Sequence, residues 1–270
     1  MLRIGLNPNT NMLPIFLFLP QINPLIEYIK AEPVGHNTLL ANGKIDMAPI
    51  SSFSYGQHWQ EYYLLPDLSV SARGRIGSIL LFSKVRLVDL HDRTVALTGI
   101  SATSVNLIKI LLYKNYNVIP KYLTMTSDLP DMLSKADAAL LIGDSAIHTA
   151  ASQPDCLIYD LGEEWLKLTG CTMTYAVWAF SKKLIIERQN EVMEVYRSLL
   201  KAKEQALNNI EEIINTSIRM LGCSKVFWQE YFGNIYYGFN QEYQNGLQKY
   251  YNFCYELGYL SSNPNISFWP

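Results

Sequence analysis

A hydroxyl-rich turn lies between two apolar runs of this chain, in the segment from Thr98 to Ser104 that contains Ser101 and Thr103. The residues before the turn predict a strand and those after it predict a helix. A helix that begins at such a turn presents backbone N–H groups and hydroxyls at the positive end of its dipole, which suits a carboxylate or a phosphate. Ser and Thr are also ordinary N-caps, so this segment alone leaves capping and anion binding both open.

Further polar residues follow other predicted strands. They are Asn11 in the segment Asn7-Pro8-Asn9-Thr10-Asn11, the pair Ser51 and Ser52, Ser78 after Gly77, and Asp144 after Ile142-Gly143. Each of them singly fits a turn or a helix cap. In open α/β sheets ligands gather at strand ends, so their joint placement predicts a shared cleft.

Recognisable catalytic motifs do not occur. The chain has no Gly-x-Ser-x-Gly elbow, His-Glu-x-x-His, Walker loop or Gly-x-Gly-x-x-Gly. The four histidines have no metal-ligand spacing and are predicted to be surface or partly buried residues rather than bases: His36, His58, His91 and His148. The four cysteines are widely spaced and predict neither a zinc site nor a redox pair, so we expect them reduced and partly buried: Cys156, Cys171, Cys223 and Cys254. We therefore predict no metal.

Length and composition narrow the class of protein. The 270 residues are 49% hydrophobic and 17% charged, which is enough for one large domain or two lobes. The net charge of −2 predicts no nucleic-acid partner and no anionic membrane surface. The start of the chain does not resemble a secretory signal and no apolar run reaches membrane-spanning length, so we expect a cytoplasmic protein.

The predicted secondary structure that positions these residues changes along the chain, from an alternation of strands and helices to helices alone. Up to about residue 180, short apolar runs such as 79–82 and 138–142 alternate with helical patterns, which is typical of buried strands in an α/β sheet. After about residue 182 the pattern is helical, with a long helix predicted from Leu184 to Met220 and two aromatic-rich helices after it. Tyrosines recur in this tail, and we interpret them as core: Tyr231, Tyr236, Tyr237, Tyr243, Tyr250, Tyr251, Tyr255 and Tyr259.

Several segments, taken in order, resemble one known family. They are Gly5 with Asn11 and Pro14, then residues 43–52, 65–71, 77–84, 101–104, 138–144, 159–165 and 176–179. Over roughly residues 3–180 the chain resembles the menaquinone-biosynthesis chorismate dehydratases. The resemblance implies a fold like the type II periplasmic binding proteins, with two α/β lobes, an interlobe cleft and a helical C-terminal tail. Lobe 1 would comprise residues 1–85 completed by 181–270, and lobe 2 would comprise 86–180.

The resemblance also implies an activity. Chorismate would lose water to give 3-[(1-carboxyvinyl)oxy]benzoate in the futalosine route to menaquinone, a hydro-lyase reaction without a cofactor. By matching motif, the family's active-site residues fall on Asn11, Ser78 and Asp144. The hydroxyl-rich turn with Ser101, Thr103 and Ser104 would bind a substrate carboxylate. The pair Ser51 and Ser52 would also be substrate-binding residues.

The chemistry of the side chains suggests a hypothetical role for each active-site residue. Asn11 and Ser78 would hold the second carboxylate or the leaving oxygen, and Asp144 would be a general acid or an orienting acceptor. The chain departs from the family in one segment, since 8–12 reads Pro-Asn-Thr-Asn-Met where Ser-Tyr-Leu-Asn-Thr is usual. Two alternatives stay open, a non-catalytic small-anion binding protein of the same fold and the related naphthoate synthase of the same pathway. The sequence leaves the oligomeric state undetermined.

Overall fold

The computed structural model describes residues 1–269, apart from the side chain of Pro33. The strands are β1 Arg3–Leu6, β2 Glu27–Lys30, β3 Met47–Ser51, β4 Tyr62–Ala72, β5 Ile79–Ser83, β6 Thr94–Thr98, β7 Lys121–Met125, β8 Ala138–Ile142, β9 Leu157–Asp160, β10 Met173–Ser181 and β11 Ile235–Tyr236. The helices are α1 Leu13–Phe16, α2 Leu19–Ile22, α3 Pro33–Ala41, α4 Ser52–His58, α5 Ala102–Tyr116, α6 Leu129–Lys135, α7 Gly143–Ala151, α8 Leu161–Thr169, α9 Lys182–Asn208, α10 Ile210–Leu221, α11 Lys225–Asn234 and α12 Gln241–Glu256.

Two mixed sheets divide the strands between two α/β lobes. The first sheet has the order β11-β4-β10-β3-β1-β2, and the second has the order β7-β6-β8-β5-β9. In the first sheet β1 is parallel to β2 and β3, and β10 is antiparallel to β3 and β4. In the second sheet β6 is parallel to β7 and β8, and β5 is antiparallel to β8 and β9. The two-lobed α/β architecture expected from the sequence is therefore present.

The chain changes sheets at places that differ from the predicted lobe boundaries. β5 belongs to the second sheet, so the chain crosses between Ala72 and Ile79 rather than at residue 85. β10 belongs to the first sheet, so the return falls after α8, before Met173, rather than at 180. An apolar run identifies a buried strand, but it carries no information about the strand's partner.

Local patterns explain which elements the sequence predicts well. All five residues of β5 and of β8 are buried, in keeping with their continuous apolar runs. β7 was not predicted, because this edge strand is mostly exposed and lacks such a run. The N-cap of α6 is Asp128, whose side chain accepts the hydrogen bond from the Asp131 N–H at 2.9 Å.

The helical tail contacts both lobes. The predicted long helix is in fact two, α9 and α10, which meet at Asn209. α9 packs on α1, α2 and β4, whereas α12 packs on β10, α4 and α5. The four cysteines form no disulfide, and Cys254 is buried. Within the described residues no helix has both the length and the apolar character needed to cross a bilayer.

Candidate active site

A cleft opens between the lobes where strands of both sheets end. The volume of the cleft, including the solvent-filled opening, is about 690 Å³. Polar and apolar side chains from both lobes line it: Asn7, Asn9, Asn11, Met12, Pro49, Ile50, Ser51, Val70, Ile76, Ser78, Ile79, Ser101, Ser104, Ile142, Gly143, Tyr175 and Ala176. The predicted site residues Asn11, Ser51, Ser78, Ser101 and Ser104 are among them. The strand ends therefore meet in one cleft.

Ser52 and Thr103 lie behind the wall of the cleft, not in it as expected from the sequence. The Ser52 hydroxyl is fully buried and donates to the Thr174 carbonyl at 2.8 Å. The Thr103 hydroxyl, also fully buried, accepts a hydrogen bond from the Phe53 N–H at 3.0 Å. Both hydroxyls are thus already bonded to the backbone, and the Thr103 bond joins the first turns of α4 and α5 across the lobes.

Ser51 and Ser101 act as helix caps and also line the cleft. The Ser101 hydroxyl accepts from the Ser104 N–H at 3.3 Å and lies 3.1 Å from the Ser104 hydroxyl. The Ser51 hydroxyl accepts from the Ser54 N–H at 3.2 Å. The two readings of the hydroxyl-rich turn are therefore compatible, because the capping residue is itself exposed to the cleft. The positive ends of α4 and α5 both lie at the cleft wall, which favours an anionic ligand.

The loop that carries Ser78 is held on several sides. The Ser78 carbonyl accepts from the Gly143 N–H at 2.7 Å, which continues the β5–β8 ladder that pairs Ile79 with Ile142. The Asp160 carboxylate accepts from the Gly77 N–H at 2.6 Å and from the Ile76 N–H at 3.1 Å. Burial raises the pKa of the Asp160 carboxyl, and the backbone N–H groups oppose that rise. Asp160 is therefore a buried acceptor that fixes the Ser78 loop.

Two polar atoms at the cleft have no partner among the described residues. They are the buried Oδ1 of Asn11 and the buried hydroxyl of Tyr175. An unpaired buried polar group costs about 1–3 kcal/mol, so a ligand that formed hydrogen bonds with these two atoms would remove that cost. Tyr175 was not predicted as a site residue, because its strand pattern indicated only burial.

Asp144 lies beside the cleft, in a second groove that shares Asn9 and Ile142 with it and that Glu32 and Ser127 also line. Its Oδ1 accepts from the Thr10 hydroxyl at 2.6 Å and from the Thr10 N–H at 3.1 Å. Burial raises the pKa of the Asp144 carboxyl, and the hydrogen bonds from Thr10 oppose the rise. The predicted catalytic carboxylate is therefore bonded to the opposite lobe. Thr10 belongs to the segment that departs from the family pattern.

Tyrosines of the helical tail hold the site from behind. The Tyr231 hydroxyl donates to the Ser78 hydroxyl at 3.1 Å, and the Tyr237 hydroxyl donates to the Asn11 carbonyl at 2.8 Å. The hydroxyls of Tyr250 and Tyr251 donate to two further carbonyls, those of Thr103 at 3.2 Å and Ser52 at 2.7 Å. All four side chains are buried, as predicted, but each also reaches a predicted site residue. The available signal was the repeated choice of Tyr over Phe, because a buried Tyr requires a partner.

The cleft is lined by neutral side chains. None of the described lining residues is an Asp, Glu, Lys, Arg or His. His36 is fully buried rather than partly exposed, with Nδ1 3.3 Å from the Pro49 carbonyl, and burial lowers its pKa. Within the described residues no three His, Cys, Asp or Glu side chains cluster as metal ligands do. Recognition in this cleft therefore rests on neutral hydrogen-bonding groups and helix ends.

The two lobes and their polar cleft define a periplasmic-binding-protein-like fold. Similar solved structures include a protein from Archaeoglobus fulgidus with a TM-score of 0.78 and 18% identity, covering 96% of this chain and 98% of that one. The alkanesulfonate-binding protein SsuA from Xanthomonas axonopodis pv. citri, bound to MOPS, gives a TM-score of 0.74 and 15% identity, with 98% and 96% covered. A Candida albicans protein described as having the generic periplasmic binding protein fold gives 0.71 and 12%, with 100% and 97% covered. At these identities the likeness shows the fold alone.

Sequence comparison identifies the family within that fold. The family model described as menaquinone biosynthesis matches residues 2–256, so the chain belongs to the menaquinone biosynthesis family. A curated relative, the chorismate dehydratase of Thermus thermophilus, is 32% identical over an alignment of 263 residues that covers 92% of this chain and 93% of the relative. The resemblance noted in the sequence is thereby confirmed.

Proposed function

We propose that this chain is a chorismate dehydratase, which removes water from chorismate to give 3-[(1-carboxyvinyl)oxy]benzoate in the futalosine route to menaquinone. The observation that carries the proposal is the neutral interlobe cleft, which is lined by hydroxyls, amides and the capping serines of two helices together with Asn11, whose side-chain oxygen has no partner among the described residues. Such a cleft suits a small dicarboxylate. The similarity to the Thermus chorismate dehydratase supports the same reaction.

Chorismate itself supplies the driving force, because loss of one ring proton and the ring hydroxyl as water makes the ring aromatic. The protein must orient the substrate and stabilise the leaving oxygen. In our proposal Ser101 and Ser104, at the N-terminus of α5, bind one carboxylate. Asn11 and Ser78 hold the other carboxylate or the departing hydroxyl from the facing side. The reaction leaves the overall oxidation level unchanged and calls for no redox cofactor.

The proton acceptor in this proposal is the enolpyruvyl carboxylate of the substrate. The described lining residues include no carboxylate, imidazole or amine that would remove a ring proton. Tyr175 is the one ionisable side chain of that lining, and burial raises its pKa well above the ordinary value, so it stays protonated. Asp144, held by Thr10, would then serve to close the lobes rather than to transfer a proton.

The decisive experiment is incubation of the purified protein with chorismate, followed by absorbance of the aromatic product and by its mass. We expect a product one water lighter than chorismate, and we expect Asn11→Ala to bind or convert it poorly. Binding without a change in absorbance would instead support a non-catalytic anion-binding protein. The absence of both binding and turnover of chorismate would favour the naphthoate synthase alternative.

A further inference from the structure

We propose that Tyr231 is a positioning residue that makes the Ser78 hydroxyl a hydrogen-bond donor to a substrate oxygen. The Tyr231 hydroxyl donates to Ser78 Oγ at 3.1 Å. A serine hydroxyl has one hydrogen to donate, and here its oxygen already accepts from Tyr231. The hydrogen of Ser78 is therefore left to point into the cleft that Ser78 lines. This inference rests on the proposed function for the identity of the substrate.

The direction of the Tyr231–Ser78 hydrogen bond is fixed by the surroundings of Tyr231. Tyr231 is 2% exposed, and burial raises its pKa well above the ordinary value, so the phenol keeps its proton. The hydrogen bond with Ser78 opposes this rise in the pKa, and the negative charges of Asp144 and Asp160 add to it. Among the described residues Ser78 Oγ is the one hydrogen-bond partner of the Tyr231 hydroxyl, so the phenol hydrogen is donated to it.

The ring of Tyr231 has little freedom to move. It packs edge-on against Trp228 at 5.4 Å and stacks on Phe227 at 6.0 Å between ring centroids. On the other side the ring lies over Gly77, where an added Cβ would approach its Cδ2 to 3.3 Å. Gly77 has φ +74°, a conformation that favours glycine, so this residue both turns the loop and leaves room for the ring.

The Ser78 loop is equally constrained on its other side. Asp160 accepts from the N–H groups of Ile76 and Gly77, and Gly143 donates to the Ser78 carbonyl. With the loop held by these bonds, rotation of the Ser78 hydroxyl is the remaining freedom, and Tyr231 restricts it. Hydrogen bonds in such a chain polarise one another, so the Tyr231 bond also makes Ser78 a stronger donor. A strong, aimed donor is the group that stabilises a leaving oxygen.

The test is a double-mutant cycle with Ser78→Ala, Tyr231→Phe and the double variant. Two properties are measured: kcat and KM with chorismate, and the dissociation constant of a stable 3-alkoxybenzoate that carries two carboxylates. We expect Ser78→Ala to lower kcat by about 10²-fold and Tyr231→Phe by about tenfold. In the Ser78→Ala background, Tyr231→Phe should change kcat by less than about twofold.

Tyr55→Phe is the matched control. It removes another buried tyrosine hydroxyl, which donates to the Asn265 carbonyl at 2.9 Å away from the cleft, and it should leave kcat unchanged. Equal effects of Tyr231→Phe in both backgrounds would show a merely structural role and overturn the inference, whatever the substrate. If the two substitutions are coupled in their effect on the dissociation constant but the protein does not turn over chorismate, the inference stands and the dehydratase function is rejected. The absence of both binding and turnover would overturn both.

Discussion

Thr10 Oγ1 lies 2.6 Å from Asp144 Oδ1, and this hydrogen bond joins the loop after β1 to the first turn of α7 across the cleft. The two residues are 134 positions apart in the chain and belong to different lobes. The Thr10 N–H adds a second contact to the same carboxylate at 3.1 Å. A carboxylate held in this way is suited to keep the lobes together, and its acceptor sites are already partly used.

This pairing predicts that Asp144→Asn retains most of the activity. The new carboxamide oxygen still accepts from Thr10, so we expect kcat to fall by less than about fivefold, whereas removal of a general acid costs about 10²-fold or more. Steady-state kinetics with chorismate distinguishes the two. As controls, Asp144→Ala and Thr10→Val should each raise KM by about tenfold, the value of one charge-assisted hydrogen bond. The double variant should be no worse than either, and strict additivity would contradict an interlobe hydrogen bond.

Substitution of Asn11 should lower the activity without lowering the stability of the protein. Asn11→Leu has a similar volume and removes a buried oxygen that has no partner, so we expect the free energy of unfolding to stay equal or to rise by about 1 kcal/mol. Turnover should fall by about 10²-fold, because the group aimed at the substrate is lost. Urea unfolding and kinetics on the same preparation measure both. A variant that is clearly less stable than the wild type would show that Asn11 has a structural partner.

Ser101 should affect stability and substrate binding together. Ser101→Ala removes the N-cap of α5, so we expect a loss of about 1 kcal/mol in unfolding free energy, and it also removes a cleft hydroxyl, so KM should rise. Asn240→Ala removes the N-cap of α12 and is the control for capping alone. It should cost a similar free energy without a change in KM. The anion-binding role of Ser101 is excluded if the two variants have the same KM.

The sequence predicted the elements of this site better than their connections. The apolar run 138–142 forms a strand with the same bounds, and Ser78 and Ser101 lie at strand ends that meet in the cleft. These features were predictable because apolar periodicity and turn chemistry are local properties of the sequence. The pairing of Thr10 with Asp144 depends on how the two lobes approach each other, which no local pattern records. The same holds for Tyr231, whose burial was predicted but whose bond to Ser78 comes from the return of the tail.

The buried carboxyl of Asp160 predicts a particular dependence of stability on pH. Its pKa is raised in the folded state by burial, so the folded protein binds more protons than the unfolded chain between the ordinary and the raised pKa. This contribution to the free energy of unfolding is complete below the ordinary pKa and is lost as pH rises through the raised one. Asp160→Asn lacks the titration. The difference in unfolding free energy, wild type minus Asp160→Asn, should therefore decrease as the pH rises across the acidic range. Urea unfolding of both proteins at several pH values measures this difference. An increasing difference would mean that the backbone N–H groups outweigh burial.

A substitution at Gly162 tests how tightly the Ser78 loop packs on α8. A Cβ at this residue would collide with the Gly74 carbonyl and would lie 2.8 Å from the Tyr175 hydroxyl, so Gly162→Ala must displace the turn that leads to Ser78. We expect a loss of about 2–3 kcal/mol in unfolding free energy and a reduced kcat. Gly233→Ala in α11 is the matched control, because a Cβ there meets nothing within 4 Å. That variant should be unchanged or more stable by up to about 1 kcal/mol, since alanine favours a helix over glycine. If Gly162→Ala unfolds with the same free energy as Gly233→Ala, the turn is more adaptable than its contacts indicate, and its packing on α8 does not hold Ser78 in place.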